Sequence, residues 1–315
     1  MCLNNGYRYT IQYAPKGQYD SSRSGVGSET RSIIDFLAER FPHSPRETWG
    51  ERIAQGELLL GIRSNPEAEP VRISSPEQRL HYGDLVVWNR PPWIEPDAPQ
   101  EFGYLYEDSD VVVAHKPSGL PTLPGGGFYW NSLLFKVQQK HPSATPMHRL
   151  GRATSGIVLF SLHKKASRFL TAHWPSFQKV YLGLAQGIAD QDQYEITTRI
   201  GAVPHPRLGT VHAATPLGKE AHSTARVLRR NPESTLFQID LHTGRPHQIR
   251  IHLASIGYPL VGDPMYQAGG VPKPELPGLP GDGGYWLHAG SLIATHPTSF
   301  QVMQWHAPPP PLLSL

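Results

Sequence analysis

In the stretch TRSIIDFLAERF, Ile33, Leu37 and Phe41 recur every four positions and share one face, and Pro42 ends the pattern, which predicts a short amphipathic helix. Trp49 and Ile53 repeat the spacing before Gly56, and ELLL and GDLVVW then supply two short apolar runs bounded by turn residues. Two helices and a small sheet are therefore expected over residues 28–90. Pro91, Pro92, Pro96 and Pro99 withhold backbone donors from any ladder, so residues 91–100 read as a linker. Over residues 101–307 the pattern changes to short apolar strands, VVVA, GIVLF, VYLGLA, LFQIDL and SLIAT, separated by helical patterns in KKASRFLTAHW and PHQIRIHLASIG. In the last of these, Ile249, Leu253 and Ile256 form the expected buried stripe, with Arg250 at its border. Several strands in succession between helices predict an α+β domain on a largely antiparallel sheet rather than a doubly wound one. Residues 1–27 show no sustained pattern and are expected to be a flexible N-terminal segment. The Gly- and Pro-rich stretch from Gly269 to Gly284 reads as a surface loop, and Pro308 to Pro311 predict a polyproline II tail over residues 308–315.

Charge changes this picture in one place. The net charge of +3 is too mild to imply a polyanionic partner by itself. Between Asp110 and Asp190, however, there is no acidic residue, while Lys116, Lys136, Lys140, Arg149, Arg152, Lys164, Lys165, Arg168 and Lys179 all lie there. Such a segment is expected to form a positive, phosphate-tracking face. In contrast, the arginines at 31, 40, 46, 52 and 63 are matched by Asp35, Glu39, Glu47, Glu51 and Glu57, so the first domain is not visibly cationic. A single cysteine, Cys2, excludes a disulfide framework, and no window approaches the roughly 18 apolar residues of a membrane helix. A cytoplasmic monomer is the expectation.

Three motifs follow one another in the larger segment: DVVVAHKPSGLPTLPG, MHRLGRATSGIVLFSLHKKA and LHTGRPHQIRIHLASIGYPLVGDPMY, with QKVYLGLAQG between the last two and LHAGSL after them. Their order and spacing resemble the RluA family of RNA pseudouridine synthases, with its KPSGL turn, its HRLD-x-x-T-S-G signature and its TGR-x-HQIR-x-H pattern. The resemblance covers about residues 104–307. Residues 28–90, with AQGELLLG and LHYGDLVVW in order, resemble the S4-type module that precedes many such domains.

The resemblance implies a cofactor-free isomerisation of uridine in rRNA or tRNA, in which the C1′–N1 bond breaks, the base turns and C5 joins C1′. Such an enzyme draws its target base out of the stack. By the same resemblance Arg149 is associated with that displacement, and Tyr181 packs on the uracil ring and serves proton transfer at C5. Arg250 is a fixed cation facing the catalytic carboxylate, and Leu287 lines an apolar wall. His148, Thr154, Ser155, Arg245 and His247 complete the implied substrate-binding set.

One position departs from the pattern. Where the family carries the aspartate of HRLD, this chain has Gly151, which has no side chain to attack or to take developing charge. The acid-free run leaves no substitute carboxylate nearby in sequence, and Asp263, in its GDP context, is expected to have a structural task. A catalytically inactive RNA-binding protein of the same fold is the alternative expectation. His247 and His252 lack the i,i+4 spacing of a helical zinc site, so no metal is expected. Gly125 to Gly127 lack the Lys-Ser/Thr of a phosphate loop and read as a flexible turn.

Overall fold

A computed structural model describes residues 2–13, 31–41, 44–61, 68–206, 208–275, 278–279 and 281–315. The chain divides into two compact units, Met1–Ile94 and Glu95–Leu315.

In the first unit, helices Ile33–Arg40 and Arg46–Ala54 accompany a four-stranded sheet of Tyr7–Gln12, Leu85–Arg90, Leu58–Gly61 and Val71–Arg72, in that order across the sheet. Ser32 caps the first helix, its hydroxyl accepting from the Asp35 amide at 3.3 Å. Ile33, Leu37, Trp49, Ile53, Leu58 and Val86 form the core, as the four-residue spacing requires. The N-terminus departs from expectation. Cys2–Asn4 and Tyr7–Gln12 are strands, the second pairing antiparallel with Leu85–Arg90, because YRYTIQY alternates and delivers Ile11 and Tyr13 to the core. Residues 14–27 lie outside the described ones.

The second unit is built on a ten-stranded sheet, antiparallel throughout except where Ser155–Ser161 runs parallel to Leu287–Thr295. Strands Val111–Lys116 and Ser155–Ser161 are covered on both faces, and period-two alternation divides their side chains between two clusters. Val112, Ala114, Val158 and Phe160 pack with helices Leu133–Lys140 and Gln248–Ser255 on one side. Val111, Val113, Ile157 and Leu159 pack with Leu170 of helix Lys164–His173, Phe177 and Trp305 on the other. This is the α+β, largely antiparallel architecture expected.

Four readings need correction. The stretch 91–100 contains strand Trp93–Glu95, and the Glu95 carboxylate is fully buried, accepting from the amides of Tyr129, Trp130 and Asn131 at 2.8–3.0 Å. The tail is not free: Pro311–Leu313 is a 3-10 turn whose Leu313 packs on Leu184 and Leu236. Helix Gln248–Ser255 has no exposed face, since Gln248 through Ala254 are all buried, so the stripe of Ile249, Leu253 and Ile256 understates its burial. Finally, Lys116 contributes nothing to a positive surface. It is 0% exposed, its ammonium donates to the carbonyls of Pro117, Leu120 and Arg152, and burial lowers it to about 7. Among the described residues no helix is long and apolar enough to cross a membrane.

Candidate active site

The single parallel pairing assembles the site. Ser155 stands opposite His288, so the turn entering one strand and the segment entering the other lie side by side at the same end of the sheet. The approach is close: Gly156 has φ 113°, and a Cβ there would run into the backbone of Ala289, which accounts for glycine after Thr154 and Ser155. Gly151 thereby faces Tyr285. A Cβ built on Gly151 would lie 2.6 Å from the Tyr285 hydroxyl and 3.5 Å from Thr154 Oγ1. Thr154 Oγ1 and the Tyr285 hydroxyl share a hydrogen bond at 3.3 Å, and the Thr154 amide donates to the Gly151 carbonyl at 3.1 Å. Gly151 itself is exposed, whereas Tyr285 is 4% exposed.

Behind Tyr285 stands Arg250, at 2% exposure. Its guanidinium carbon lies 4.3 Å from the centre of the Tyr285 ring and 5.0 Å from that of Tyr266. Nε and Nη2 donate to the two oxygens of Asp263, each at 2.7 Å. Asp263 also accepts from the amides of Met265 and Tyr266 at 2.8 and 3.0 Å. Burial alone would raise its carboxyl, but the Arg250 hydrogen bonds and charge and the two amides hold it below the usual range. Nη1 of Arg250 is buried without a hydrogen-bond partner among the described residues. A buried donor in that state is costly unless something completes it.

His247 adjoins this cluster in a left-handed conformation, φ 55°, which is uncommon outside glycine and stored most often at functional sites. Tyr266 gives its one proton to the His212 carbonyl at 2.6 Å, so the 2.8 Å contact between His247 Nδ1 and the Tyr266 oxygen makes Nδ1 the donor and leaves Nε2 as an acceptor. Burial and the charges of Arg250, His212 and Arg149 lower the imidazole to about 3, with Asp263 opposing, so the ring is neutral. That influence puts the exposed Arg149 within electrostatic reach of the cluster, and among the described residues Arg149 has no ion-pair partner.

Tyr181 lies on strand Gln178–Gln186 beside a register shift, opposite Ala289 and Ile239. It belongs to one apolar cluster with Leu150, Ala153, Ile249, Tyr285 and Leu287, and burial pushes its phenol up to about 12. Thr154, Arg250 and the Gly151 backbone are thus grouped around Tyr285, and Tyr181 and Leu287 belong to the same apolar cluster as its ring. Other members of the expected set are engaged elsewhere. His148 Nε2 accepts from the Leu159 amide at 3.1 Å and its ring stacks on Trp174, with burial and Lys179 lowering it to about 4. Ser155 donates to Nδ1 of His288 at 2.8 Å, and Nε2 of that ring donates to the Ala307 carbonyl at 3.1 Å. Arg245 donates to the Glu220 carbonyl at 2.9 Å. Each of the three is hydrogen-bonded to a neighbouring segment. Asp263 does have the structural task expected of it, since it anchors Arg250.

Tyr266 and Tyr285 were not among the expected residues. The second falls in the same apolar cluster as Leu287, two residues further on. Neither His247 nor His252 suits a metal pair, because His252 accepts from Ser223 at 3.1 Å and donates to the Thr198 carbonyl at 3.0 Å. Asp108, Asp110 and His296 have ligand atoms within 4.8 Å of one another, but these atoms already meet Tyr106, His163 and backbone amides.

A family model described as RNA pseudouridylate synthase matches residues 110–255. A protein of Synechocystis sp., described as an uncharacterized RNA pseudouridine synthase, is 39% identical over 285 residues, 89% of this chain and 95% of its own. The dual-specificity RNA pseudouridine synthase RluA of Haemophilus influenzae is 34% identical over 233 residues, 71% of this chain and 97% of its own. The chain belongs to the RluA-like RNA pseudouridine synthases. In fold the chain resembles the solved structure of human RNA Pseudouridylate Synthase Domain Containing 1, with a TM-score of 0.55 over 70% of this chain and 89% of the other, at 22% identity. In this chain the Tyr285 hydroxyl stands where a side chain at position 151 would project.

Proposed function

We propose that this protein isomerises specific uridines in structured RNA, rRNA or tRNA, to pseudouridine without a cofactor, through an active site that lacks the family's aspartate. The observation that carries the reading is the unsatisfied Nη1 of Arg250, held by Asp263 against the Tyr285 ring beside the exposed Gly151. A site kept this polar is built to receive acceptors, and the carbonyl oxygens of an extruded uracil and the ribose hydroxyls supply them. Tyr181 provides the aromatic wall for the base and a phenol held in its protonated form, suited to hand a proton on and take one back at C5. Arg149, exposed and unpaired among the described residues, fills the space the base vacates. RNA capture falls to helix Lys164–His173, whose Lys164, Lys165 and Arg168 are exposed and without ion-pair partners among the described residues. The S4-like first unit is a second RNA contact in this reading, although Arg31 and Arg46 are paired with Glu39, Asp35 and Glu77.

The test is a pseudouridine map of total RNA from cells with and without the gene, together with conversion of the missing positions by purified protein. Loss of defined pseudouridines and their restoration in vitro is the expected result, and an unchanged map removes the reading. The competing reading, an inactive RNA-binding protein of the same fold, draws on the lack of a side chain at Gly151. It requires salt-sensitive RNA binding with no conversion, so Tyr181→Phe leaves the map unaltered in that case and erases the same pseudouridines in the first.

A further inference from the structure

Resting on the reading of the site as a pseudouridine synthase, we infer that the Tyr285 hydroxyl is the catalytic group that replaces the aspartate missing at position 151. Three observations converge on it. The hydroxyl stands 2.6 Å from the ideal Cβ position of Gly151, so the phenol oxygen occupies space that an aspartate side chain would claim, and glycine is the residue that leaves it there. The ring is fixed, since it is 4% exposed, lies 4.3 Å from the Arg250 guanidinium and belongs to the apolar cluster that includes Tyr181. The phenol oxygen has one hydrogen-bond partner among the described residues, Thr154 Oγ1 at 3.3 Å, and its neighbour Gly151 is open to solvent.

The chemistry closes without a co-reactant. The phenol oxygen attacks the ribose C1′ as the C1′–N1 bond breaks, the bonding pair leaving with the uracil, which takes the phenol's proton. Once the base has turned, C5 joins C1′ and the C1′–Oη bond breaks, its pair returning to the tyrosine oxygen. The proton displaced from C5 then restores the phenol, passing directly or through Tyr181. In total one proton moves from C5 to N1 and one glycosidic bond is exchanged for another. Tyrosine as a nucleophile at an anomeric carbon has precedent among glycoside hydrolases.

The experiment uses the full chain and a transcript carrying a uridine that the natural protein converts. Tyr285→Phe keeps the ring over Arg250 and removes only the hydroxyl, so a structural role predicts turnover within about threefold of the natural protein. A catalytic role predicts a fall of about a thousandfold with RNA affinity changed by less than about threefold. In parallel, the natural protein is denatured rapidly during turnover on the same transcript, so that a ribose still joined to a side chain at C1′ is retained, and any adduct is mapped by tandem mass spectrometry. A cross-link on the peptide containing Tyr285 supports the inference, and one on any other residue overturns it even if Tyr285→Phe fails to fold. Retained turnover in Tyr285→Phe overturns it as well. If the natural protein converts no uridine in any RNA, the synthase reading falls first and this inference with it.

Discussion

The Tyr285 hydroxyl and the bare α-carbon of Gly151 are complementary: the one fills what the other lacks, with 2.6 Å between the oxygen and the nearest place a Cβ could stand. Gly151→Asp is therefore not a simple restoration. The new side chain has to displace a ring that is buried beneath Arg250, and overpacking of this kind costs about 1–3 kcal/mol. Urea unfolding is expected to show that loss, with turnover no higher than in the natural protein. Unchanged stability accompanied by a rise in turnover would mark the glycine as a lesion in an aspartate-type site.

Asp263 and Arg250 form the most buried ion pair described, with side chains 1% and 3% exposed. Removing one partner leaves a charge in the interior, so Asp263→Ala is expected to destabilise the protein by about 3–5 kcal/mol. Asp263→Asn, which keeps acceptors but not the charge, should cost less. Denaturant titrations of the three proteins check the order, and equal midpoints would mean that the pair is not uncompensated when broken.

Lys164, Lys165 and Arg168 lie on the exposed side of one helix. Replacing all three with glutamine is expected to weaken RNA binding and to lower the slope of log affinity against log salt by about 2–3, roughly one for each phosphate no longer neutralised. Stability should change by less than about 1 kcal/mol, because these side chains have no ion-pair partner among the described residues. Filter binding at several salt concentrations measures the slope, and an unaltered slope moves the RNA path to another surface.

Acid should destabilise the second unit before its carboxylates titrate. His252, 0% exposed and held neutral between Ser223 and Thr198, is lowered from 6.5 to about 4 by burial. Its folded pKa lies below its unfolded one, so between pH 6.5 and 4 the unfolded chain binds more protons. Stability is therefore complete above pH 6.5 and declines as pH falls toward 4, by up to about 3 kcal/mol from this group. His247, lowered to about 3, adds to the same trend. Unfolding midpoints at pH 7 and pH 4.5 should differ accordingly, and His252→Asn should show a smaller difference between the two.

Much of this was legible in the chain. Unbroken apolar runs such as VVVA and GIVLF announced the strands of the central sheet, and Tyr181 and Leu287, singled out by the motifs, fall in one apolar cluster. The partner of Arg250 was not legible. Asp263 follows it by 13 residues, beyond the helix and a turn, and only the fold shows that the arginine is already neutralised and that its Nη1 is left over among the described residues. His148 and Ser155 sit inside the motif, and their hydrogen bonds to the Leu159 amide and to His288 join segments that the signature alone does not bring together. Tyr285 escaped notice for a related reason: it precedes the recognisable LHA by one residue pair and meets Gly151 only through a parallel pairing of strands far apart in sequence. The N-terminal strand was missed because its alternation is carried by tyrosines rather than by aliphatic residues.

That parallel pairing has a consequence for synthesis. Ser155 meets His288 across 133 positions, so a nascent chain can form the hairpins of the sheet while the strand that brings Tyr285 to Gly151 is still inside the ribosome. The meeting of Tyr285 with Gly151 is among the last features this protein can complete, and until then a partly made copy carries the two halves of the site apart.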